Sequence, residues 1–541
     1  MQTYSPEILQ GRRVGIEKES LRVAASGAIS QTDHPESLGA ALTHPSITTD
    51  FSEALLELVT PPCDSSQSAL DYLSRLHQYV DRRLPMGETI WNTSMPCILS
   101  GGQSVRIGEY GTSFSGKMKH CYRRGLALRY GRRMQAIAGI HFNYSLPEPV
   151  WLLSTSTALP AAVPETASKL ESQWLALSAS EQMQLRTHGY FSMVQNLLRI
   201  GWIIPYLFGA SPAVCASFLG DKEGEELEIW NTSTRYAPYG TSLRMGEFGY
   251  RYREDQPIDL NVRHTSIHEY IKDIISHVSS EHPPYSALGV FDESGQRQQL
   301  NACRLQIENE FYSSVRPKQI PEPGELPIQA LKQRGIRYLE LRSVDVNLFE
   351  PAGIGLNDLL MLEMLMLFAW LSPVKPLNQS EMNVLTGNIR LVAHRGREPG
   401  LELTDAHGPI ELTQWGKTIL DLLQPISQWM DKGESQGPYQ DALQHQRLKF
   451  ENSAMTPSAE MLEGIKSTGS FFDFVQQRSR EHHVHYESLA EDESFLNVME
   501  QRRTESFERQ QQLERDSKGG DFDLFLSSYL NQIKPDTSHT V

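Results

Sequence analysis

Alternation of apolar and polar residues with a period of two is the feature of this sequence that most constrains its fold. In the segment 15–23, Glu17 and Glu19 point to the same side of an extended strand, about 6.6 to 7 Å apart. Three further segments carry such polar faces: His141, Asn143 and Ser145 in 140–145, Gln306, Glu308 and Glu310 in 305–311, and Glu340 and Arg342 in 338–343. Together they predict an antiparallel sheet with one apolar face and one face of functional side chains.

The carboxylate pair Glu17 and Glu19 carries an electrostatic cost. Two like charges at that distance repel by about 0.6 kcal/mol even in water, and by more in a cleft, unless a cation lies between them. A solvated sheet face gives the same alternation without any function, but such faces are usually rich in threonine, lysine and mixed charge. Carboxylates with one imidazole and no thiolate favour Mg²⁺ or Mn²⁺ over a structural zinc, so the pattern indicates a metal–carboxylate site.

Charge and cysteine usage exclude several classes of protein. The 541 residues carry a formal net charge of −16, whereas nucleic acid as the main partner requires a basic footprint. A nucleotide stays compatible with that charge, because metal ions and a few arginines can carry its phosphates. Five scattered cysteines and an N-terminus without a signal-peptide pattern predict a reduced, cytoplasmic protein. The apolar stretches 191–219 and 359–371 are too interrupted or too short for a bilayer, so we expect both in the core.

Composition divides the chain into two portions without a clear linker. We expect an α+β catalytic body over 1–350 and a helical C-terminal portion over 351–541, packed on the body as one continuous unit. Helices are predicted at 65–83, at 180–188 and 190–198 on either side of Gly189, at 356–371, and at 411–423 ahead of Pro425. Segments 151–168 and 316–324 are predicted as loops, and 478–518 as a solvated helix or a frayed tail.

Several ordered motifs resemble those of one known family. They are Gly-Ile-Glu-Lys-Glu-Ser-Leu-Arg-Val at 15–23, Thr-Thr-Asp-Phe-Ser-Glu-Ala-Leu-Leu-Glu at 48–57, Ser-Met-Pro-Cys at 94–97, Tyr-Gly-Thr-Ser at 110–113, Gly-Ile-His-Phe-Asn-Tyr-Ser at 139–145, Pro-Tyr-Leu-Phe-Gly-Ala-Ser-Pro at 205–212, Thr-Ser-Leu-Arg at 241–244, Leu-Gln-Ile-Glu-Asn-Glu at 305–310 and Arg-Ser at 342–343. The sequence resembles glutamate–cysteine ligases of the proteobacterial type over almost its whole length, most strongly between residues 13 and 347.

The resemblance implies a fold and a reaction. The fold is similar to those of glutamine synthetase and the guanidino kinases, with a curved antiparallel sheet lining the active site. In the implied reaction ATP phosphorylates the side-chain carboxylate of glutamate, and the amine of cysteine then attacks the acyl phosphate. The products are γ-glutamylcysteine, ADP and phosphate, in the first step of glutathione biosynthesis. Phosphoryl transfer between two anions requires charge neutralisation, which two or three Mg²⁺ ions supply. By resemblance, the metal ligands are Glu17, Glu19, Asp50, Glu57, His141 and Glu308.

The resemblance also implies residues that bind the substrates. Arg316 and Arg342 are expected to hold phosphate oxygens or the glutamate carboxylates, since a guanidinium offers two parallel donors. A structural salt bridge with Glu310 or Glu340 is the alternative role of these arginines. The pocket for the acceptor cysteine corresponds here to Phe51, Tyr122, Gln135, Arg244 and Tyr250.

Some of these residues have plainer interpretations. Asp50 and Glu53 have the spacing of a helix capping box. His141 is also compatible with a hydrogen-bonded core histidine, and Glu310 with a residue that supports a ligand rather than binding the metal. Tyr236 and Tyr239 are nearby rivals of Tyr250.

Two other functions stay open: a ligase that joins a carboxylate to a different amine, and a non-catalytic relative that binds nucleotide or metal. The pair of carboxylates speaks against the second, because an inactive site has no reason to keep the repulsion. The cysteines lack a neighbouring base, the histidine-rich stretch 482–485 is predicted as a solvated charged segment, and Gly101-Gly102 lacks the lysine of a P-loop. We expect glutamate, cysteine and ATP as partners, without nucleic acid or membrane, and a monomer.

Overall fold

The computed structural model describes residues 5–96, 98–153, 167–219, 226–246, 248–249 and 260–533. The strands within them are β1 Arg13–Ala24, β2 Ile47–Thr49, β3 Leu55–Val59, β4 Glu88–Trp91, β5 Ile140–Ser145, β6 Ala213–Cys215, β7 Glu228–Ile229, β8 Thr234–Tyr236, β9 Val315–Lys318, β10 Tyr338–Val344, β11 Glu402–Asp405 and β12 Gly408–Glu411.

The α-helices of the same residues alternate with these strands at first and dominate after β10. They are α1 Ser66–Asp81, α2 Phe114–Tyr130, α3 Ala167–Leu175, α4 Ala179–Arg199, α5 Ile203–Phe208, α6 Ile267–Ser279, α7 Pro283–Leu288, α8 Pro327–Arg334, α9 Leu356–Leu371, α10 Gln379–Arg395, α11 Leu412–Met430, α12 Pro438–Glu451, α13 Pro457–Thr468, α14 Phe471–Ser488, α15 Glu493–Ser517 and α16 Phe522–Leu530.

A seven-stranded sheet forms the centre of the described structure. Its order is β2–β3–β1–β5–β10–β9, and β4 pairs with the second half of β1. All of these pairs are antiparallel. The long strand β1 pairs with β5 through residues 13–18 and with β3 through residues 17–21. Because β5 also pairs with β10, three of the alternating segments lie side by side. The prediction of a mixed α+β fold with an antiparallel sheet is confirmed.

The two faces of this sheet are both polar in β1, which differs from the prediction of one apolar face. Val14 and Ile16 are fully buried as expected, but Lys18 and Arg22 lie on the same side and are 0% exposed. Lys18 donates to Asn92 and to His77 of α1, so α1 covers this back face of the sheet. The front face carries Glu17 and Glu19.

The C-terminal helices pack on the sheet body. Helix α9 has the predicted bounds and is buried on nearly all sides, between α4, α11 and α12. Its methionines Met361, Met364 and Met366 are 0% exposed, which confirms them as core residues. Helix α14 contacts α1 and β4, while α15 and α16 contact α2. None of the helices in the described ranges is long and apolar enough to cross a membrane.

Two predicted helix breaks are wrong. Helix α4 runs without interruption through Gly189, where an added Cβ would lie 2.3 Å from the ring of Trp151. The glycine therefore gives room for a packed aromatic ring rather than ending the helix. Helix α11 likewise continues through Pro425 to Met430. Segment 478–518 is helical in α14 and in the largely exposed α15, which a short connection at 489–492 joins, so the solvated-helix alternative is the correct one.

The predicted strand at 305–311 is also wrong. Residues Glu308–Glu310 form a 3-10 turn, because side chains take up the backbone groups that a strand ladder would use. Gln306 accepts a bond from the Leu300 N–H, and its own N–H donates to the Glu310 carboxylate. Conversely, the first residues of the predicted loop 316–324 belong to edge strand β9, with Pro317 inside it. Most of the predicted loop at 151–168 lies outside the described residues.

Candidate active site

A cavity of about 550 Å³ lies on the front face of the sheet. Its floor is formed by side chains of β1, β3, β5, β9 and β10, and its walls by α2 and the segment 300–312. Ten of the predicted site residues line it: Glu17, Glu19, Asp50, Phe51, Glu57, Tyr122, Gln135, His141, Arg316 and Arg342.

Strand register explains the acidic half of the cavity. Glu19 lies opposite Glu57 across the β1–β3 pair, and Glu17 lies opposite His141 across the β1–β5 pair. The Nδ1 atom of His141 is 3.1 Å from a Glu17 oxygen, and Asn143 Nδ2 donates to the other Glu17 oxygen at 2.9 Å. One ligand atom from each of Glu17, Glu57 and His141 lies within 4.8 Å of the other two.

The pKa values of Glu57 and Glu19 reflect their burial and the closeness of other carboxyl groups. Burial, together with the charges of Glu17 and Asp50, raises the pKa of Glu57 to about 8. Burial, with Asp50 and Glu57, likewise raises the pKa of Glu19 well above its usual range. Burial lowers the pKa of His141, which keeps the imidazole neutral. A neutral imidazole beside carboxylates that repel one another has the donor set that hard divalent cations bind.

Asp50 lies in the turn that leads into β3, and not at the start of a helix. The chain turns at 50–54 and enters β3 at Leu55, so Asp50 and Glu53 do not form a capping box. The Glu53 carboxylate instead accepts bonds from the backbone N–H groups of His34 and Glu109. Asp50 is thereby left facing the cavity beside Glu57.

The opposite half of the cavity is cationic. Arg342 forms an ion pair with Glu340 at 3.1 Å, and Lys318 forms another with the same carboxylate at 3.0 Å. The Nε of Arg342 is buried without a hydrogen-bond partner among the described residues. Arg316 donates to the backbone carbonyls of Asn309 and Phe311. The salt-bridge alternative therefore holds for Arg342 with Glu340, yet both arginines still line the cavity.

Glu310 also lines the cavity, where its carboxylate is held by neighbouring side chains. Its carboxylate accepts bonds from Arg129 at 2.8 Å and Tyr130 at 2.6 Å, and Arg129 is buried. The Arg129–Glu310 pair therefore ties α2 to the segment that closes the cavity, and Glu310 does not pair with Arg316.

Three predicted site residues are not among those that line the cavity. Arg244 is 3% exposed and donates to the backbone carbonyl of Arg342 at 2.6 Å, behind the cavity floor. One Glu308 oxygen accepts from the Ile328 N–H at the start of α8, and the other is buried without a partner in the described structure. Tyr250 lies outside the described residues, and its rivals Tyr236 and Tyr239 do not line the cavity.

Comparison with known proteins gives one consistent result. Residues 1–392 match the family model described as glutamate-cysteine ligase. The chain belongs to the glutamate–cysteine ligase family. A curated glutamate–cysteine ligase of Alcanivorax borkumensis is 39% identical over 483 residues, covering 88% of each chain. One of Pseudomonas paraeruginosa is 39% identical over 522 residues, covering 96% of this chain and 94% of the relative.

Solved structures agree with the sequence comparison. A glutamate–cysteine ligase of Francisella tularensis, solved in complex with AMP, superposes with a TM-score of 0.85 at 31% identity, covering 96% of this chain and 97% of that one. A bifunctional glutathione synthetase of Pasteurella multocida shares the fold with a TM-score of 0.66 at 24% identity, covering 89% of this chain and 53% of that one.

Sequence reasoning about this glutamate–cysteine ligase family member missed the contribution of α2. Lys119 and Arg123 line the cavity one helical turn apart, with Tyr122 between them. Burial and the nearby Arg123 lower the pKa of Lys119 to about 8. The signal was present as a helical stripe at 119, 122, 123, 126 and 130, between Ser113, which caps the helix, and Gly131, which ends it. Lys318 was missed as a cavity residue as well, and Glu340, which lies on a predicted functional face, was assigned no role there.

Proposed function

We propose that the chain catalyses ATP-dependent ligation of glutamate to cysteine. The γ-carboxylate of glutamate attacks the γ-phosphorus of ATP and releases ADP. The amine of cysteine then attacks the acyl carbon, phosphate leaves, and γ-glutamylcysteine is formed as the first product of glutathione biosynthesis. The observation that carries this proposal is a single cavity with carboxylates on one side and arginines and lysines on the other, in a member of the glutamate–cysteine ligase family.

The acidic half fits Mg²⁺, or Mn²⁺ in its place. We propose as ligands the carboxylates and the imidazole predicted from the sequence. Close spacing of Glu17, Glu57 and His141 and the raised pKa of Glu57 support a cation here. Glu308 does not line the cavity, but it has a buried oxygen without a partner in the described structure. Such ions would neutralise the charge that develops between ATP and the glutamate carboxylate. The proposed ligand set is Glu17, Glu19, Asp50, Glu57, His141 and Glu308.

The cationic half has the donors that phosphate and carboxylate groups require. We propose that Arg342 and Arg316 hold the transferred phosphoryl group or the carboxylates of glutamate, since guanidinium groups bind both with parallel hydrogen bonds. Arg342 is suited to this because its Nε has no protein partner in the described structure. The ion pair with Glu340 aligns the same guanidinium from one side and leaves its other side toward the cavity.

For the acceptor cysteine we propose the residues Phe51, Tyr122, Gln135, Arg244 and Tyr250. Phe51, Tyr122 and Gln135 support this by lining the cavity beside the carboxylates. Arg244 would act through the backbone of Arg342, which it holds, rather than by touching the amino acid.

We also propose the general properties of the protein that its sequence suggested. The sheet is curved around the cavity as in glutamine synthetase and the guanidino kinases. Residues 1–350 form the catalytic body, and 351–541 pack on it as part of the same structural unit. The protein acts as a monomer in the cytoplasm on small molecules alone.

The test is release of ADP by the purified protein with ATP, Mg²⁺ and glutamate, comparing cysteine, 2-aminobutyrate and other amines as acceptors. We expect release that depends on cysteine and a product with the mass of γ-glutamylcysteine. ADP formed without a response to cysteine would favour a ligase for another amine, and no ADP under any condition would favour a non-catalytic relative. When active-site carboxylates are substituted in the same assay, Glu463→Gln, which changes an exposed carboxylate of α13, is the control variant.

A further inference from the structure

A second group of ligand-type side chains lies where the end of α1 meets α14. Asp81 is the last residue of α1, and His483 and Glu487 stand four residues apart on α14. Side chains at that spacing share one face of a helix. The three line a cavity of about 400 Å³ that has no lining residue in common with the cavity of the candidate active site.

The geometry of this group is that of a metal site. The Nδ1 of His483 lies 2.7 Å from an Asp81 oxygen. One ligand atom from each of Asp81, His483 and Glu487 lies within 4.8 Å of the other two. Ligands of a tetrahedral ion with bonds of about 2 Å lie roughly 3.3 Å apart, and the three ligand atoms here lie at most about 1.5 Å further apart than that.

The surrounding structure holds these side chains in place. Arg82 follows Asp81 and donates to the backbone carbonyls of Tyr486, Glu487 and Leu489, at 3.1, 2.8 and 2.7 Å. One guanidinium therefore fixes the last turn of α14 against the end of α1. Because the backbone that carries Glu487 is held beside Asp81, binding a metal there requires little reorganisation.

Buried polar groups at this junction lack full hydrogen bonding. The side chain of Asp81 is only 4% exposed, and its hydrogen bond to His483 uses one of its two oxygens. Burial raises the pKa of Asp81 to about 6. The Tyr486 hydroxyl, in a residue that is 2% exposed, has no hydrogen-bond partner in the described structure and interacts electrostatically with Asp81. A buried carboxylate is costly unless a counter-charge accompanies it, and a cation bound beside Asp81 and the unpartnered Tyr486 hydroxyl would supply one.

We propose that Asp81, His483 and Glu487 bind one divalent transition-metal ion of the zinc type, with water in the remaining position. Three ligands with a position left for water match a four-coordinate Zn²⁺ or Co²⁺ site, whereas the ligand set proposed for the active site has five carboxylates and one imidazole, for ions of higher coordination number. The ion would clamp α14 to α1, so it stabilises the packing of the C-terminal helices and takes no part in the ligase reaction. His482 and His485, the flanking histidines, do not belong to the site: His482 bonds Asn92, and His485 is exposed.

The test is the number of zinc ions bound by the full chain. Protein stripped by chelation is titrated with Zn²⁺ against a chromophoric chelator, in saturating Mg²⁺ to occupy the other cavity. We compare His483→Ala and Glu487→Gln, which change partly or fully exposed side chains, with His485→Ala on the same helix as the control.

We expect His483→Ala to bind one zinc fewer than the parent and Glu487→Gln to bind it at least tenfold more weakly, while His485→Ala keeps parental binding. Zinc should raise the thermal unfolding midpoint of the parent and of His485→Ala, but not that of His483→Ala. Equal zinc stoichiometry and affinity in His483→Ala and His485→Ala would overturn the proposal, and so would a zinc-induced thermal shift that His483→Ala retains.

Discussion

The two faces of β1 differ in whether a buried charged residue lies beside a residue of opposite or of like charge. On the back face, Arg22 donates to the Glu88 carboxylate at 2.7 Å and to the hydroxyl and carbonyl of Thr32. On the front face, Glu19 lies opposite Glu57, a residue of the same charge. Folding thus supplies a counter-charge to Arg22 behind the sheet, whereas Glu19 and Glu57 in front of it face one another and have raised pKa values.

This difference separates structural charge from functional charge. A buried ion pair is tolerated when the protein supplies its counter-charge and hydrogen bonds, as it does for Arg22. A cluster of carboxyl groups without such partners either keeps protons, as the raised pKa of Glu57 indicates, or binds a cation from solution. The front face is therefore the better guide to function, and the effects of substitutions there can be compared with those on the back face.

Replacing Glu17 with Gln should give the largest effect on the front face. We expect about a 10²- to 10⁴-fold loss of ligase turnover, because several kcal/mol of cation-mediated stabilisation would be lost. The thermal unfolding midpoint in metal-free buffer should not rise, because, against the effect of burial, the hydrogen bond with His141 lowers the pKa of Glu17 and so stabilises its charged form. ADP release and calorimetry measure the two quantities, and Glu308→Gln should lose turnover in the same way. Full activity in both variants would remove the metal–carboxylate interpretation.

Replacing Arg22 with Ala should have the converse effect on the back face. The change leaves Glu88 without its buried partner, so the free energy of unfolding should fall by about 3–5 kcal/mol. Urea denaturation followed by circular dichroism measures it. Arg509→Ala, which breaks an exposed ion pair within α15, should shift the same quantity by less than about 0.5 kcal/mol. A loss for Arg22→Ala no larger than for Arg509→Ala would contradict the comparison.

The front face should also impose a pH dependence in metal-free buffer. The pKa of Glu57 is about 8 in the folded protein and 4.5 ordinarily, so the folded state binds this proton more tightly than the unfolded state. The associated stability is complete below pH 4.5 and is lost as the pH rises through about 8.

Relative to the parent, Glu57→Gln should accordingly be more stable above pH 8 than at pH 4.5, by roughly 4–5 kcal/mol, since each unit of pKa difference is worth about 1.4 kcal/mol. Urea denaturation at both pH values gives the difference. Saturating Mg²⁺ should reverse it, because the parent alone then gains a bound cation. If the free energies of unfolding of the two proteins changed with pH in the same way, Glu57 would not be the source of the pH dependence.

Asn143→Ala should give the smallest effect. Its amide donates to Glu17, so the loss should loosen a proposed ligand without removing it, and turnover should fall by about tenfold. A higher Mg²⁺ concentration should recover part of the rate. Asn383→Ala, an exposed residue of α10, is the matched control and should keep full turnover. Turnover of Asn143→Ala equal to that control would exclude a positioning role.

Local patterns were enough to predict the strands that carry Glu17, His141 and Glu340, because alternation is a property of neighbouring residues. The same pattern failed at 305–311, where Gln306 and Glu310 bond to backbone groups of their own loop. Glu19 lies opposite Glu57 because β1 pairs with β3, and a single sequence does not show which strands pair. The role of α2 was missed because its polar stripe faces a cavity rather than bulk solvent.

Pro317 affects how readily two molecules of this protein can pair through the edges of their sheets. It lies in β9, the outermost strand of the sheet beside β10, between the cavity residues Arg316 and Lys318. Ser314 and Lys318 bond to β10 through their carbonyls, so the alternate residue Pro317 turns its nitrogen outward. Because proline has no N–H to offer an incoming strand, this rim is a poor template for edge-to-edge aggregation.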